Sequence, residues 1–370
     1  MTVSPGATPD DKTRLTGRPT DQPGIPEPPP RPYHAGMHRR DFFRSPAVLE
    51  PPGLPRHSPG ELLLIRVSRR AMATTFEIAV PFGTPDALAA AEDALDLIDE
   101  VEDQLTVYRD AGEVARLNAT AFGRSVPVAA TLFDLLTQCA EWTRDTAGGF
   151  DIAVGALIAS WAAHKRDGRI PPPADLATAR ANSGTRHVML DARTRSVKYR
   201  RPHLALNFGS VGKGYALDRA ADMMRTRWGI GSALLHGGGS SVRALGTPPG
   251  QPRGWPVAVK HPSGDGLLGT IYLQDQGLGT SAATFQFFEF AGRRYGHVLD
   301  PRTGGPATGT ESASVVAPTA AQADALSTAF FVQGADAASE YIQPRPGLAA
   351  LILRTDRPTP DIVTSPPGNR

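Results

Sequence analysis

The sequence predicts an α+β protein: a mixed or antiparallel sheet core with packed helices, in a single intertwined domain. Three observations carry that expectation. Strand-like and helix-like segments are interspersed without the regular alternation of a parallel βα array. There is no clear internal repeat. The chain has 370 residues, 40% hydrophobic and 21% charged, which is enough for one sizeable core.

The segments follow in chain order. Residues 1–60 are dense in proline, including Pro28-Pro29-Pro30 and Pro51-Pro52, and read as a disordered N-terminal tail. Met37 within it is an alternative start. Leu62–Val67 and Thr74–Val80 read as strands. Pro85–Leu105 places Leu88, Ala91, Leu95, Ile98, Val101 and Leu105 at spacings of three and four, an amphipathic helix. Thr131–Thr143 and Ser210–Trp228 read as further helices, the latter entered from an apolar strand, Leu204-Ala205-Leu206. Lys165–Pro173 is a polar, proline-rich connection. Further strands are expected at His187–Leu190, Ser196–Tyr199, Ala233–Leu235, Val257–Lys260, Thr270–Leu273, Ser314–Val316 and Ala349–Leu353. Ala320–Val332 reads as a helix. The folded unit is placed at residues 61–355, with 356–370 as a loose C-terminal tail.

Composition excludes several classes. With 39 basic and 37 acidic residues and no long like-charge block, charge gives no support to a nucleic-acid or membrane-surface role. One cysteine, Cys139, rules out an intramolecular disulfide and a cysteine metal cluster, and it reads as a buried structural thiol. No run approaches the roughly 18 apolar residues of a membrane span. His38–Arg44 contains Arg39-Arg40, as a twin-arginine export signal does, but Ser45–Pro52 is no apolar h-region. Residence in the cytoplasm is expected, with export as the alternative.

Four segments carry chemistry. Asn207–Asp218 holds three glycines before a helix, which lets backbone approach a ligand and offers free N–H groups to an anion; Lys213 adds a charge. Its spacing is neither a Walker loop nor a dinucleotide fingerprint. Ala233–Gly246 runs an apolar strand into Gly237-Gly238-Gly239, suited to close backbone approach or to a strained strand-to-strand turn. Asp324 and Thr328 stand at i and i+4 on one helix face, a carboxylate and a hydroxyl of the hard type that Mg²⁺ takes. Gly292–Pro306 contains His297, a candidate base, and an Asp300-Pro301 turn. It follows Gly279–Ala283, read as a small-residue loop able to contact substrate.

In their order and near-wording these segments resemble the FAD:protein FMN transferases of the ApbE type, over roughly Ala71–Gly334. Ala71–Thr74, Thr106–Asp110 with Glu113–Asn118, Gly148–Gly155 and His297–Gly304 are similar to further motifs of that family. The resemblance implies that FAD is the substrate, that Mg²⁺ is the metal, and that FMN passes to a Thr or Ser hydroxyl of an acceptor protein with release of AMP. It implies His297 as the base. Met72, Tyr108, Gly149, Phe150, Asp151, Asn207, Lys213 and Val298 are implied as FAD contacts, and Ser210, Asp324 and Thr328 as metal neighbours. Asn207 stands where the family usually has Asp. Ser241 replaces a usual Asp or Asn, and Ala282-Ala283 a common Gly-Asp. An FAD pyrophosphatase with water as acceptor, and a non-catalytic flavin-binding protein, remain alternatives.

Overall fold

Spacings of three and four in the sequence become α1, Ala87–Leu105, whose buried stripe runs through Ala87, Ala90, Ala91, Ala94, Leu95, Ile98, Val101 and Leu105. Leu88 departs from the expected stripe and is exposed, because the first turns pack through alanines. The computed structural model describes residues 62–365, apart from 265, 283–286 and 291–292, and gives the backbone alone at 287–289 and 293–295. The expectations for residues 1–60, for Met37 and the paired arginines, and for 366–370 therefore lie outside the described residues.

The strands in chain order are β1 Leu64–Ala71, β2 Thr74–Pro81, β3 Val126–Pro127, β4 Val188–Asp191, β5 Ser196–Tyr199, β6 Ala233–Gly237, β7 Ser241–Leu245, β8 Trp255–Lys260, β9 Leu267–Leu273, β10 Gly277–Ala282, β11 Phe287–Phe290, β12 Arg293–Gly296, β13 Thr310–Ala317, β14 Ala349–Arg354 and β15 Asp361–Thr364. The remaining helices are α2 Glu113–Thr120, α3 Ala130–Asp145, α4 Gly155–Arg166, α5 Pro173–Ala181, α6 Gly212–Trp228, α7 Ala320–Gln333 and α8 Ala335–Ile342.

An eight-stranded sheet in the order β1-β2-β6-β7-β10-β13-β14-β15 is the platform, antiparallel at every pairing. This is the α+β arrangement the sequence predicts. The helices α1, α6 and α7 pack together on one face. α7 is buried on almost every side, which suits its apolar, alanine-rich sequence. A three-stranded sheet, β3-β5-β4, and two hairpins, β8–β9 and β11–β12, complete the described part. Cys139 is fully buried in α3, as expected of a structural thiol, and burial pushes its thiol far up.

Three expectations are corrected. Leu204–Leu206 is not a ladder strand. The side chain of Asn118 takes a neighbouring strand's place, accepting from Leu206 N at 2.8 Å and donating to Leu206 O at 3.0 Å. Gly279–Ala282 is not a loop but the body of β10, a central strand; Ala283 lies outside the described residues. The stretch after Asp356 is not a loose tail, since β15 pairs with β14 from Ala349↔Thr364 to Ile352↔Asp361.

Candidate active site

Two helix starts meet over the middle of the sheet. Each leaves backbone N–H groups without partners in its own helix, and each is capped by a carboxylate from the other. Asp324, in the second turn of α7, accepts from Gly214 N of α6 at 2.8 Å. Asp218, in the second turn of α6, accepts from Ala320 N at 2.9 Å and Ala321 N at 2.8 Å of α7. Thr319 adds a local cap, accepting from Gln322 N at 3.1 Å. The close approach depends on glycine: a Cβ on Gly214 would lie 2.3 Å from Ala320 O. On the sheet side, Cβ atoms on Gly277 and Gly279 would lie 2.4 and 2.5 Å from α7 backbone. Small residues in β10 thus let α7 lie flush on the strand.

Asp324 is the centre of this seam and is only 6% exposed. Ser241 at the start of β7 donates from Oγ to both of its carboxylate oxygens at 2.8 Å. Burial pushes the Asp324 carboxyl up to about 7, opposed by Lys213, Ser241 and Gly214 N and reinforced by Asp218. Hydroxyls gather in the same turn of α7. Ser281 Oγ of β10 lies 3.0 Å from Ser327 Oγ and 3.3 Å from Thr328 Oγ1. Ser327 and Thr328 donate to the Asp324 carbonyl at 2.9 and 3.2 Å. Asp218 is likewise pushed up to about 6, chiefly by burial, and Arg243 Nε of β7 lies 3.3 Å from its Oδ1. Arg243 also donates to Pro318 O at 2.7 Å, just ahead of α7.

The hairpin turns reach the same seam. A Cβ on Gly237 would lie 3.5 Å from Lys213 Cβ, so the glycine triplet sits beside Lys213. Gly238 (φ 67°) presses on Thr74, where a Cβ would stand 2.5 Å from Thr74 Oγ1. The triplet is therefore the strand-to-strand turn between β6 and β7. Thr74 follows the two-residue turn between β1 and β2, whose residues Met72 and Ala73 have φ of 49° and 58°. A methionine held in the left-handed region costs about 1 kcal/mol or more. Glu102 of α1 stabilises that turn by accepting from Met72 N at 2.7 Å. It also pairs with Arg109 at 3.3 Å. Tyr108, next to Arg109 in sequence, is exposed.

A second group lies toward the far end of α7. Gln333 donates to Thr146 O at 2.8 Å, and a Cβ on Gly149 would strike the Gln333 side chain. Gly148 stands beside Arg302, where a Cβ would lie 3.7 Å from Cγ. Arg302 in turn holds Asp300 through two bonds of 2.9 Å from Nε and Nη2. That pair braces the loop from His297 to Ala307, in which Ala307 N donates to Val298 O at 2.9 Å. His297 itself is exposed and Val298 half-buried. Asn207 N donates to Ile152 O at 2.8 Å, and its Oδ1 accepts from Gly209 N at 2.9 Å, a local turn just before Ser210.

Phe150 and Asp151 are committed to the fold. Phe150 is buried edge-on against Trp142, with ring centroids 6.3 Å apart. The Asp151 carboxylate accepts from Ala153 N at 2.8 Å and from Thr185 N and Oγ1 at 2.9 and 2.5 Å. The sequence reading brought out Asp324, Thr328, Ser210 and Lys213 but gave no role to Asp218 and Arg243, and it saw Ser241 as a departure alone. The available signal was a carboxylate in the second turn of each helix, Asp218 six residues after the start of α6 and Asp324 four after that of α7.

The donor set suits a small hard cation. One carboxylate and several hydroxyls are available, and the described residues contain no group of three or more His, Cys, Asp or Glu able to cage a metal. Mg²⁺ characteristically takes one or two carboxylates and fills its other positions with water or phosphate oxygen.

Comparison with known proteins gives a consistent result. The model of the ApbE family matches residues 72–352. An FAD:protein FMN transferase of Klebsiella pneumoniae is 31% identical over 302 residues, covering 78% of this chain and 91% of that protein. One from Treponema pallidum is 32% identical over 287 residues, covering 73% and 78%. Among solved structures, the ApbE protein of Thermotoga maritima superposes with a TM-score of 0.73 at 27% identity, covering 82% of this chain and 97% of that one. The flavin transferase ApbE from Vibrio cholerae has the same fold, with a TM-score of 0.72 at 23% identity and coverage of 82% and 97%.

Proposed function

Because this chain belongs to the ApbE family of FAD:protein FMN transferases, we propose that it transfers the FMN half of FAD to a Thr or Ser hydroxyl of an acceptor protein, with Mg²⁺ bound and AMP released. It is an enzyme, a flavinyltransferase. The observation that carries the finer reading is the buried Asp324 carboxylate, held between two helix starts by Gly214 N and Ser241, on a helix turn that also carries the hydroxyls of Ser327 and Thr328.

In this reading Asp324 and Thr328, with Ser210, hold Mg²⁺. Once bound, the ion would offset charge on the pyrophosphate as its anhydride bond breaks. Lys213 adds positive charge next to Asp324. Ser241 and Gly214 N fix the carboxylate so that it need not reorganise during reaction. The acceptor oxygen forms a bond to the phosphorus of the FMN half, the bond to the AMP phosphate breaks, and His297 receives the hydroxyl proton. Met72, Tyr108, Asn207 and Val298 line the flavin nucleotide, together with the Gly149-Phe150-Asp151 backbone.

The test is incubation with FAD, Mg²⁺ and a threonine-bearing acceptor. The acceptor should gain the mass of FMN less water, and AMP should appear in equal amount. FMN and AMP released equally fast without acceptor would instead identify a pyrophosphatase. FAD binding without turnover would identify a flavin-binding protein.

A further inference from the structure

The hairpin β4–β5 and its flanks carry a charge cluster that the transfer chemistry leaves unused. Arg186, Arg193, Arg195, Arg200 and Arg201 are exposed there, and Lys198 is half-buried. Between Gly184 and His203 the one carboxylate is Asp191, which is turned onto Arg193 N at 2.9 Å. Arg66, Arg109, Arg225 and Arg302 each meet a carboxylate. The hairpin cations have no ion-pair partner among the described residues. Three of them converge on one place: burial first, then Arg186, Arg201 and Arg200, hold the His187 imidazole below its ordinary range.

This cluster borders the candidate site. Gly184 N donates to Ala153 O at 2.8 Å, and Thr185 holds Asp151. Arg200 N donates to His187 O at 2.9 Å, and the chain runs on from Arg201 to Asn207. Arg186 reaches the Arg180 carbonyl at 3.5 Å, and Arg180 lies against Gly304 in the loop that begins at His297.

We propose that this basic hairpin docks the acceptor protein through an acidic segment close to the hydroxyl that receives FMN. The inference rests on the flavinyl-transfer reading. Its chemistry favours an acidic protein over other polyanions. Tyr199, the one Phe, Tyr or Trp of the stretch, is 1% exposed, so there is no stacking platform for a nucleic acid. Met189, at 42% exposed, is its one exposed large apolar side chain, too little to enter a bilayer. Clustered cations facing a clustered anionic partner raise association rate and orientation more than any single exposed pair does.

The test compares two short threonine peptides, one flanked by glutamates and one by glutamines, with a single-stranded oligonucleotide and phosphatidylserine vesicles as further arms. Wild-type protein should bind the glutamate peptide roughly tenfold more tightly than the glutamine peptide, and rising salt should erase the difference. R186E/R200E/R201E should lose the preference, the neutral R186Q/R200Q/R201Q should lose part of it, and both should bind FAD as wild type does. Equal binding of the two peptides, a preference that survives charge reversal, or tighter binding of the oligonucleotide or vesicles would overturn the proposal. Peptide binding is read without turnover, so absence of flavin transfer to any acceptor would count against the transfer reading alone.

Discussion

Asp324 is the side chain on which the proposed metal site rests, and its titration is measurable. Its carboxyl is held at about 7 in the fold, against an ordinary value of 3.8. The folded protein therefore keeps a proton that the unfolded chain has released. The stability linked to that proton is whole below about pH 4 and is lost as pH rises through about 7, each tenfold difference in proton affinity being worth about 1.4 kcal/mol. Urea unfolding of metal-free protein should show stability falling between about pH 4 and pH 7. Asp324→Asn should lessen that slope, leaving the part that Asp218, held at about 6, contributes, and identical slopes in the two proteins would contradict the assignment. At about pH 8, Mg²⁺ should raise the unfolding temperature of the wild type but not of the variant. Ser241→Ala removes a donor shared by both carboxylate oxygens and should cost about 1–3 kcal/mol in the same assay. The pair Asp324 and Thr328 was legible in the sequence because both lie on one helix. Ser241 and Asp218 were not, since their partners stand 83 and about 102 residues away.

At the scale of elements, α6 and α7 are joined by exchanged caps, and Gly277 and Gly279 of β10 let α7 lie close on the strand. Gly279→Ala would place a methyl 2.5 Å from the Ala323 and Asp324 backbone. The helix would have to lift, so the variant should lose about 1–3 kcal/mol and bind Mg²⁺ more weakly; calorimetric titration checks the second effect. Asp218→Asn keeps an acceptor for α7 but gives up the charge facing Arg243. Its transfer rate should fall with little change in FAD affinity, and an unchanged rate would limit the exchanged cap to stability. Strongly periodic segments such as Pro85–Leu105 were legible. So were the ladders of β-branched and aliphatic residues in β2, β6 and β14. The helices α4 and α5 were not, because they bury little: Leu157 and Trp161 in one, Ala179 in the other. β10 reads as a loop because glycine and serine usually punctuate strands. Here tertiary packing by α7 selects them.

Across the whole molecule, a net charge of +2 conceals an uneven distribution. The cations of β4–β5 are close together in sequence, and the fold sets them beside the candidate site. The order of motifs carried the family and the broad fold. It could not show that the Met72 turn, the glycine triplet, the α6 start and the α7 carboxylate meet, because those contacts cross the entire described chain. The central claim is that they form one FAD and metal site. Crystals soaked with FAD and Mn²⁺, an anomalous stand-in for Mg²⁺, test this most directly. The predicted result is an anomalous peak bonded to Asp324 and Thr328 and to a pyrophosphate oxygen of FAD, with the flavin reaching toward Tyr108. FAD bound elsewhere, or a metal peak away from Asp324, would contradict it.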